Sequence, residues 1–166
     1  MGRFVVLLRG VNVGRAKRVP MAELREVLDG LGFTAVRTVL NSGNAVVTGP
    51  DGEHAPRIET ALRERFGFEV RVVVLTAAQL VAIVDAHPFA DIADDGSRMM
   101  AHVLAAPPEP GHGPAAADPD HARLIGQVVY QWCPDGLLAA PPVAVPAPML
   151  VTTRNWSTIT KLYALL

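Results

Sequence analysis

The chain has 166 residues, half of them hydrophobic and 19% charged, with a net charge of -1. That hydrophobic share is enough to bury a core and excludes wholesale disorder; the near-neutral balance excludes a generally basic protein that coats nucleic acid, though not a local basic patch. A single cysteine, Cys133, cannot close an intrachain disulfide, so the simplest expectation is a reducing compartment.

Phe4 to Arg9 is a short apolar run with β-branched content and reads as a buried strand. As a leader it is too short and lacks a small-residue cleavage site. Gly10 to Arg18 follows as a loop punctuated by glycine and asparagine. Pro20 suits the first turn of a helix, and Met21, Leu24, Leu28 and Leu31 then fall on one helical face that Gly32 ends. Thr34 to Leu40 and Ala45 to Thr48 read as strands. Asn41-Ser42-Gly43-Asn44 between them is a hairpin signal, because these residues tolerate positive φ and bond their own backbone. Pro56 to Phe66 reads as a helix and Glu69 to Leu75 as a strand. The order β-α-β-β-α-β predicts a ferredoxin-like arrangement over residues 1–75.

The second half, 76–166, reads as a smaller and less regular α+β unit. Thr76 and Gln79 fit a capping box at the start of a helix reaching about Ala86. Met99 to Leu104 and Gln127 to Trp132 look like strands, and Pro107 to Pro119, with five prolines, like a long mobile loop. Pro141 to Pro148 reads as an extended connector. At the end, Trp156, Ile159, Tyr163 and Leu166 share a helical face, and segment 150–166 is a candidate to return to the first half. Gly136 to Thr153 is the longest stretch without charge, but its four prolines bar a membrane helix. A cytoplasmic protein with no membrane association is expected, and the Ala-, Gly-, Pro- and Arg-rich composition suggests a bacterial source. A monomer or weak homodimer is expected.

The charges are unevenly placed. Residues 1–22 hold Arg3, Arg9, Arg15, Lys17 and Arg18, and residues 136–166 hold Arg154 and Lys161, all without an acid. These segments therefore carry +7 against -8 in the middle of the chain. If they meet, they form a positive face that attracts anions. In Thr153-Arg154-Asn155-Trp156 a helix start offers free N–H groups, Arg154 offers a bidentate clamp, and Trp156 offers a stacking surface. The structural alternative stays open: Asn155 as a cap and Trp156 as core. The Gly10–Arg18 loop matches neither the P-loop nor the dinucleotide pattern. The predicted ligand-binding set is Arg9, Asn12, Lys17, Arg18, Asn41, Ser42, Asn44, Arg154, Asn155, Trp156 and Lys161. No cofactor is expected, and the five histidines lack metal-ligand spacing, so no metal site is expected either. Cys133 reads as a buried inert thiol. No catalytic residue emerges.

The blocks Leu7-Leu8-Arg9-Gly10-Val11-Asn12-Val13-Gly14, Pro20-Met21-Ala22-Glu23-Leu24-Arg25, Leu31-Gly32-Phe33, Asn41-Ser42-Gly43-Asn44 and Thr153-Arg154-Asn155-Trp156-Ser157-Thr158 resemble the bacterial domain of unknown function 1697. The resemblance implies a two-part α+β fold and brings no activity, substrate or cofactor. The chain departs from the family pattern at Arg15, where a second glycine is usual, and at Asn41, where glutamine is usual. The residues leave three expectations: a binding module for a phosphate-bearing small molecule or single-stranded nucleic acid, an enzyme for a phosphorylated or carboxylated substrate, or motif residues with a purely structural role.

Overall fold

The computed structural model describes all 166 residues, and the chain is an α+β protein that divides into two units: Met1–Val81 with Lys161–Leu166, and Ala82–Thr160.

In the first unit the elements are β1 (Gly2–Leu8), α1 (Met21–Gly30), β2 (Thr34–Thr38), β3 (Asn44–Gly49), α2 (Ala55–Phe66) and β4 (Val72–Thr76). The four strands form one antiparallel sheet in the order β2-β3-β1-β4. β1 is central, and every residue from Phe4 to Leu8 is buried. This is why its sequence is a continuous apolar run rather than an alternating one. Phe4, Val6 and Leu8 join Leu24, Val27 and Leu28 of α1 and Ile58 and Leu62 of α2 in one core cluster. α1 starts one residue after Pro20, which lies outside the helix in extended conformation, and Gly32 follows its end at φ 90°. α2 ends at Gly67 in the left-handed region, whose N–H bonds the Arg63 carbonyl. The ladder of β4 begins at Val72, three residues later than the predicted strand. The Arg3 guanidinium donates to the Leu166 carbonyl and ties the C-terminal residues to β1.

α3 (Ala77–Asp85) leads into the second unit. Its capping box is formed as read: Gln79 N–H donates to Thr76 Oγ1 at 3.1 Å, and Thr76 N–H to Gln79 Oε1 at 2.8 Å. Then come β5 (Met99–Leu104), β6 (Ala115–Ala116), β7 (Ala122–Ile125), β8 (Val128–Trp132), β9 (Val143–Ala144), β10 (Val151–Asn155) and α4 (Trp156–Tyr163). Four of the strands form an antiparallel sheet in the order β10-β5-β8-β7, and β6 pairs with β9. Counted within its own sheet, the second unit repeats the 2-3-1-4 strand order of the first, with proline-rich segments where the first has helices.

Three details differ from the sequence reading. The proline-rich segments 107–119 and 141–148 are not structureless, because β6 and β9 lie in them and pair with each other. Val151–Asn155 is a strand that the sequence reading did not assign, and the helix begins only at Trp156. On α4 the buried apolar residues are Ile159 and Leu162, whereas Tyr163 is exposed.

Candidate functional site

The loop between β1 and α1 is held by its own side chains. Asn12 Nδ2 donates to the Val19 carbonyl at 2.8 Å and to the Asn41 carbonyl at 2.7 Å, and Asn12 Oδ1 accepts the Val19 N–H at 2.8 Å. Asn12 N–H also bonds the Lys17 carbonyl. Arg18 Nη1 donates back to the Gly14 carbonyl at 3.1 Å. Gly10, Asn12, Gly14 and Lys17 all have positive φ, so the loop coils tightly.

The β2–β3 turn is built in the same way. Asn44 is buried, and its Nδ2 donates to the Val39 carbonyl and to Ser42 Oγ. Gly43, at φ 84°, brings its carbonyl to the Leu8 N–H, and a Cβ there would lie 2.7 Å from Leu8 Cβ. Asn41 is exposed at the turn, where its carbonyl receives Asn12. Asn12, Arg18, Asn41, Ser42 and Asn44 thus fix backbone, and the loop and the turn are joined through Asn12.

What they position is a cleft of about 410 Å³ lined by Arg9, Gly10, Lys17, Glu69 and Arg71. The register of the sheet creates it. β1 and β4 are antiparallel with Leu8 opposite Val72, so Arg9 N–H bonds the Arg71 carbonyl just beyond the ladder. The loop then places Lys17 on the same cleft. Arg71 is paired with Glu59, Nε to Oε2 at 2.6 Å, and the same carboxylate oxygen accepts the Val72 N–H. The other ion pairs of this unit join Arg65 to Glu23 and Glu26, so Arg9 and Lys17 take part in none. Glu69 and Arg71 were not in the predicted set. Their signal was the flanking of Val70 by charges at a strand end, which becomes informative only once β4 is known to lie beside β1.

The C-terminal members of the predicted set are not among the residues that line this cleft. Arg154 is the fourth of the five residues of β10, which alternates half-buried and buried side chains, and it lies on the buried side with Thr152. Arg154 Nη1 donates to Thr152 Oγ1 at 2.8 Å and to the Thr153 carbonyl at 2.9 Å. Burial brings its pKa down to about 10, so it remains charged at neutral pH. Asn155 caps α4, its Oδ1 accepting from both Thr158 N–H and Thr158 Oγ1. Trp156 packs against His87, with ring centroids 4.4 Å apart, and against Tyr130. Lys161 is exposed on α4 and belongs to the first unit.

The second unit also holds a polar row that sequence reading missed. His102 on β5 bonds Thr153 Oγ1 through Nδ1 and Gln131 Oε1 through Nε2, both at 2.8 Å. Burial lowers the His102 pKa, against the opposing bond from Gln131. Gln131 passes the chain on to the Pro141 carbonyl. Thr153 is the ladder partner of His102 on β10, and Gln131 lies two residues along β8 from its ladder partner Val129, a diagonal neighbour on the same face. Cys133 is buried, and that burial raises its thiol above the usual range, the reverse of what a nucleophile requires. No three His, Cys, Asp or Glu side chains come together to hold a metal ion, and no helix is long and apolar enough to cross a membrane.

Two antiparallel four-stranded sheets with four helices, and a cationic cleft beside a loop closed by asparagine, define an α+β protein of two related units. The chain belongs to the family described as protein of unknown function (DUF1697), whose model matches residues 1–130. It is similar in fold to a conserved bacterial protein from Streptococcus pneumoniae, with a TM-score of 0.66 at 22% sequence identity over 99% of this chain and 98% of the other. No curated protein matches the chain.

Proposed function

We propose that the protein is a binding module of the bacterial cytoplasm for a phosphate-bearing ligand, a class that includes nucleotides and single-stranded nucleic acid, and that the first unit takes the ligand in its cationic cleft. The observation that carries the reading is the convergence of Arg9, Lys17 and Arg71 on one concave site in a protein of net charge -1. Arg9 and Lys17 are not neutralised by any ion pair of the fold, so their field is directed at the cleft and raises the local anion concentration. A guanidinium presents phosphate with a planar pair of donors, and an ammonium adds a second charge. Asn12, Asn41, Ser42 and Asn44 enter the proposal as the frame that holds Gly10 and Lys17 in place. Arg154, Asn155 and Trp156 enter it as residues that build the second unit.

Aromatic stacking has little part in this reading. Phe4 is the one aromatic residue on β1 or β3, and it is buried with its ring edge-to-face with His54. Affinity for nucleic acid would then be electrostatic and would fall steeply with salt. A second reading, turnover of a bound phosphate ester, is favoured by Glu69, a carboxylate in the same cleft. Release of inorganic phosphate over a panel of esters would distinguish it from binding alone.

Thermal unfolding tests the proposal, with inorganic phosphate, sulfate, nucleotides and a short oligonucleotide as ligands and an Arg9→Ala/Lys17→Ala variant alongside. A ligand at a hundred times its Kd stabilises the native state by about 2.7 kcal/mol, or roughly 5–10 °C for a chain of this length. The expected result is a shift with phosphate-bearing compounds that is lost in the variant. Equal shifts in wild type and variant, or none in either, would refute the assignment.

A further inference from the structure

The cleft is not uniformly basic: Glu69 lies among Arg9, Lys17 and Arg71, and no aromatic or apolar side chain lines it. Both features restrict the ligand. A carboxylate beside a bound phosphate repels it unless another part of the ligand gives the carboxylate a hydrogen to accept. A ligand ammonium would meet three cations for one acid, so the donor is a neutral hydroxyl. A nucleobase would find no ring to stack on, because Phe4 and Phe33 are buried around His54, and Phe66 and Phe68 pack on the core and on each other. The cleft's 410 Å³ lies within the range of sites that enclose small molecules.

Resting on the anion-binding reading above, we infer that the ligand is the phosphate ester of a polyhydroxylated, non-aromatic body such as a sugar. Arg9 and Lys17 hold the phosphate, and Glu69 accepts the hydroxyl hydrogens. Glu69 thereby becomes the residue that separates such esters from inorganic phosphate, while the absence of a ring in the cleft leaves a nucleobase nothing to stack on.

Isothermal titration on the full chain with inorganic phosphate, glucose 6-phosphate and AMP tests this, using wild type and Glu69→Ala. Glu69 is exposed, and a far-UV circular dichroism spectrum checks that the variant is folded. Wild type is expected to bind glucose 6-phosphate about tenfold more tightly than inorganic phosphate, as befits a hydrogen bond to a charged group, and no less tightly than AMP. Glu69→Ala is expected to abolish the preference over inorganic phosphate while binding inorganic phosphate at least as well as wild type, since a repulsive charge has gone. Tighter binding of AMP than of glucose 6-phosphate, or a preference for glucose 6-phosphate over inorganic phosphate that survives Glu69→Ala, would overturn the inference and leave the anion site standing. Failure of all three compounds to bind wild type would overturn both.

Discussion

Asn12→Ala separates a framing residue from a ligand-contacting one. Asn12 makes three side-chain hydrogen bonds, to the Val19 carbonyl, the Val19 N–H and the Asn41 carbonyl, between 2.7 and 2.8 Å. At a net of about 1 kcal/mol for each neutral bond, and less for the exposed one to Asn41, their loss costs about 2–3 kcal/mol. Asn12 also sits at φ 57°, where alanine is disfavoured by about 1 kcal/mol more than asparagine. The variant should therefore lose about 3–4 kcal/mol, which at a urea slope of about 2 kcal/mol/M moves the midpoint down by roughly 1.5–2 M. Far-UV circular dichroism is the proper probe, because both tryptophans, Trp132 and Trp156, lie in the second unit and their emission reports on that unit. Asn12→Gly should recover the backbone part of the loss and none of the hydrogen bonds. A midpoint shift below about 0.3 M together with loss of phosphate binding would refute the reasoning and make Asn12 a ligand group.

Three further outcomes follow from the same geometry. Glu59→Gln releases Arg71 from its 2.6 Å ion pair; the pair is partly exposed, so stability should change by less than about 1 kcal/mol, while titration should show phosphate binding several-fold tighter and more sensitive to salt. His102 and His87 both have pKa values lowered by burial, so below their ordinary value of 6.5 the unfolded chain takes up protons that the folded one refuses. Stability of the second unit should accordingly fall as pH drops from about 7 towards 5, as tryptophan emission would report, and His102→Gln should flatten that slope. Thr76→Ala removes the hydroxyl that accepts the Gln79 N–H and should cost about 1 kcal/mol in chemical denaturation, whereas Thr76→Ser should cost little.

The first half was legible in the sequence because its signals are local. The apolar run of β1, the Met21-Leu24-Leu28-Leu31 face, the glycine stop at Gly32, and the Asn41–Asn44 turn each state an element within a few residues. β10 was missed because Thr-Thr-Arg-Asn carries its alternation in polar residues: Thr152 and Arg154 are the buried ones, so apolar periodicity has nothing to detect. β6 and β9 were missed because two-residue strands amid prolines have no period at all. The cleft was half legible. Arg9 and Lys17 stand out in an acid-free segment, but Glu69 and Arg71 lie some fifty residues along the chain, and only the antiparallel register of β4 beside β1 brings them near. The amides were legible as conspicuous residues but not in their roles, since Asn12 and Asn155 look alike in sequence whether they hold a ligand or the backbone.

The most direct test of the cationic cleft is a two-dimensional 1H–15N NMR titration of the full chain with pyrophosphate. The account predicts progressive shifts concentrated at the amides of Arg9 to Lys17 and Glu69 to Val72, absent from the Arg9→Ala/Lys17→Ala variant. Shifts that avoid those residues, or that persist unchanged in the variant, would contradict it.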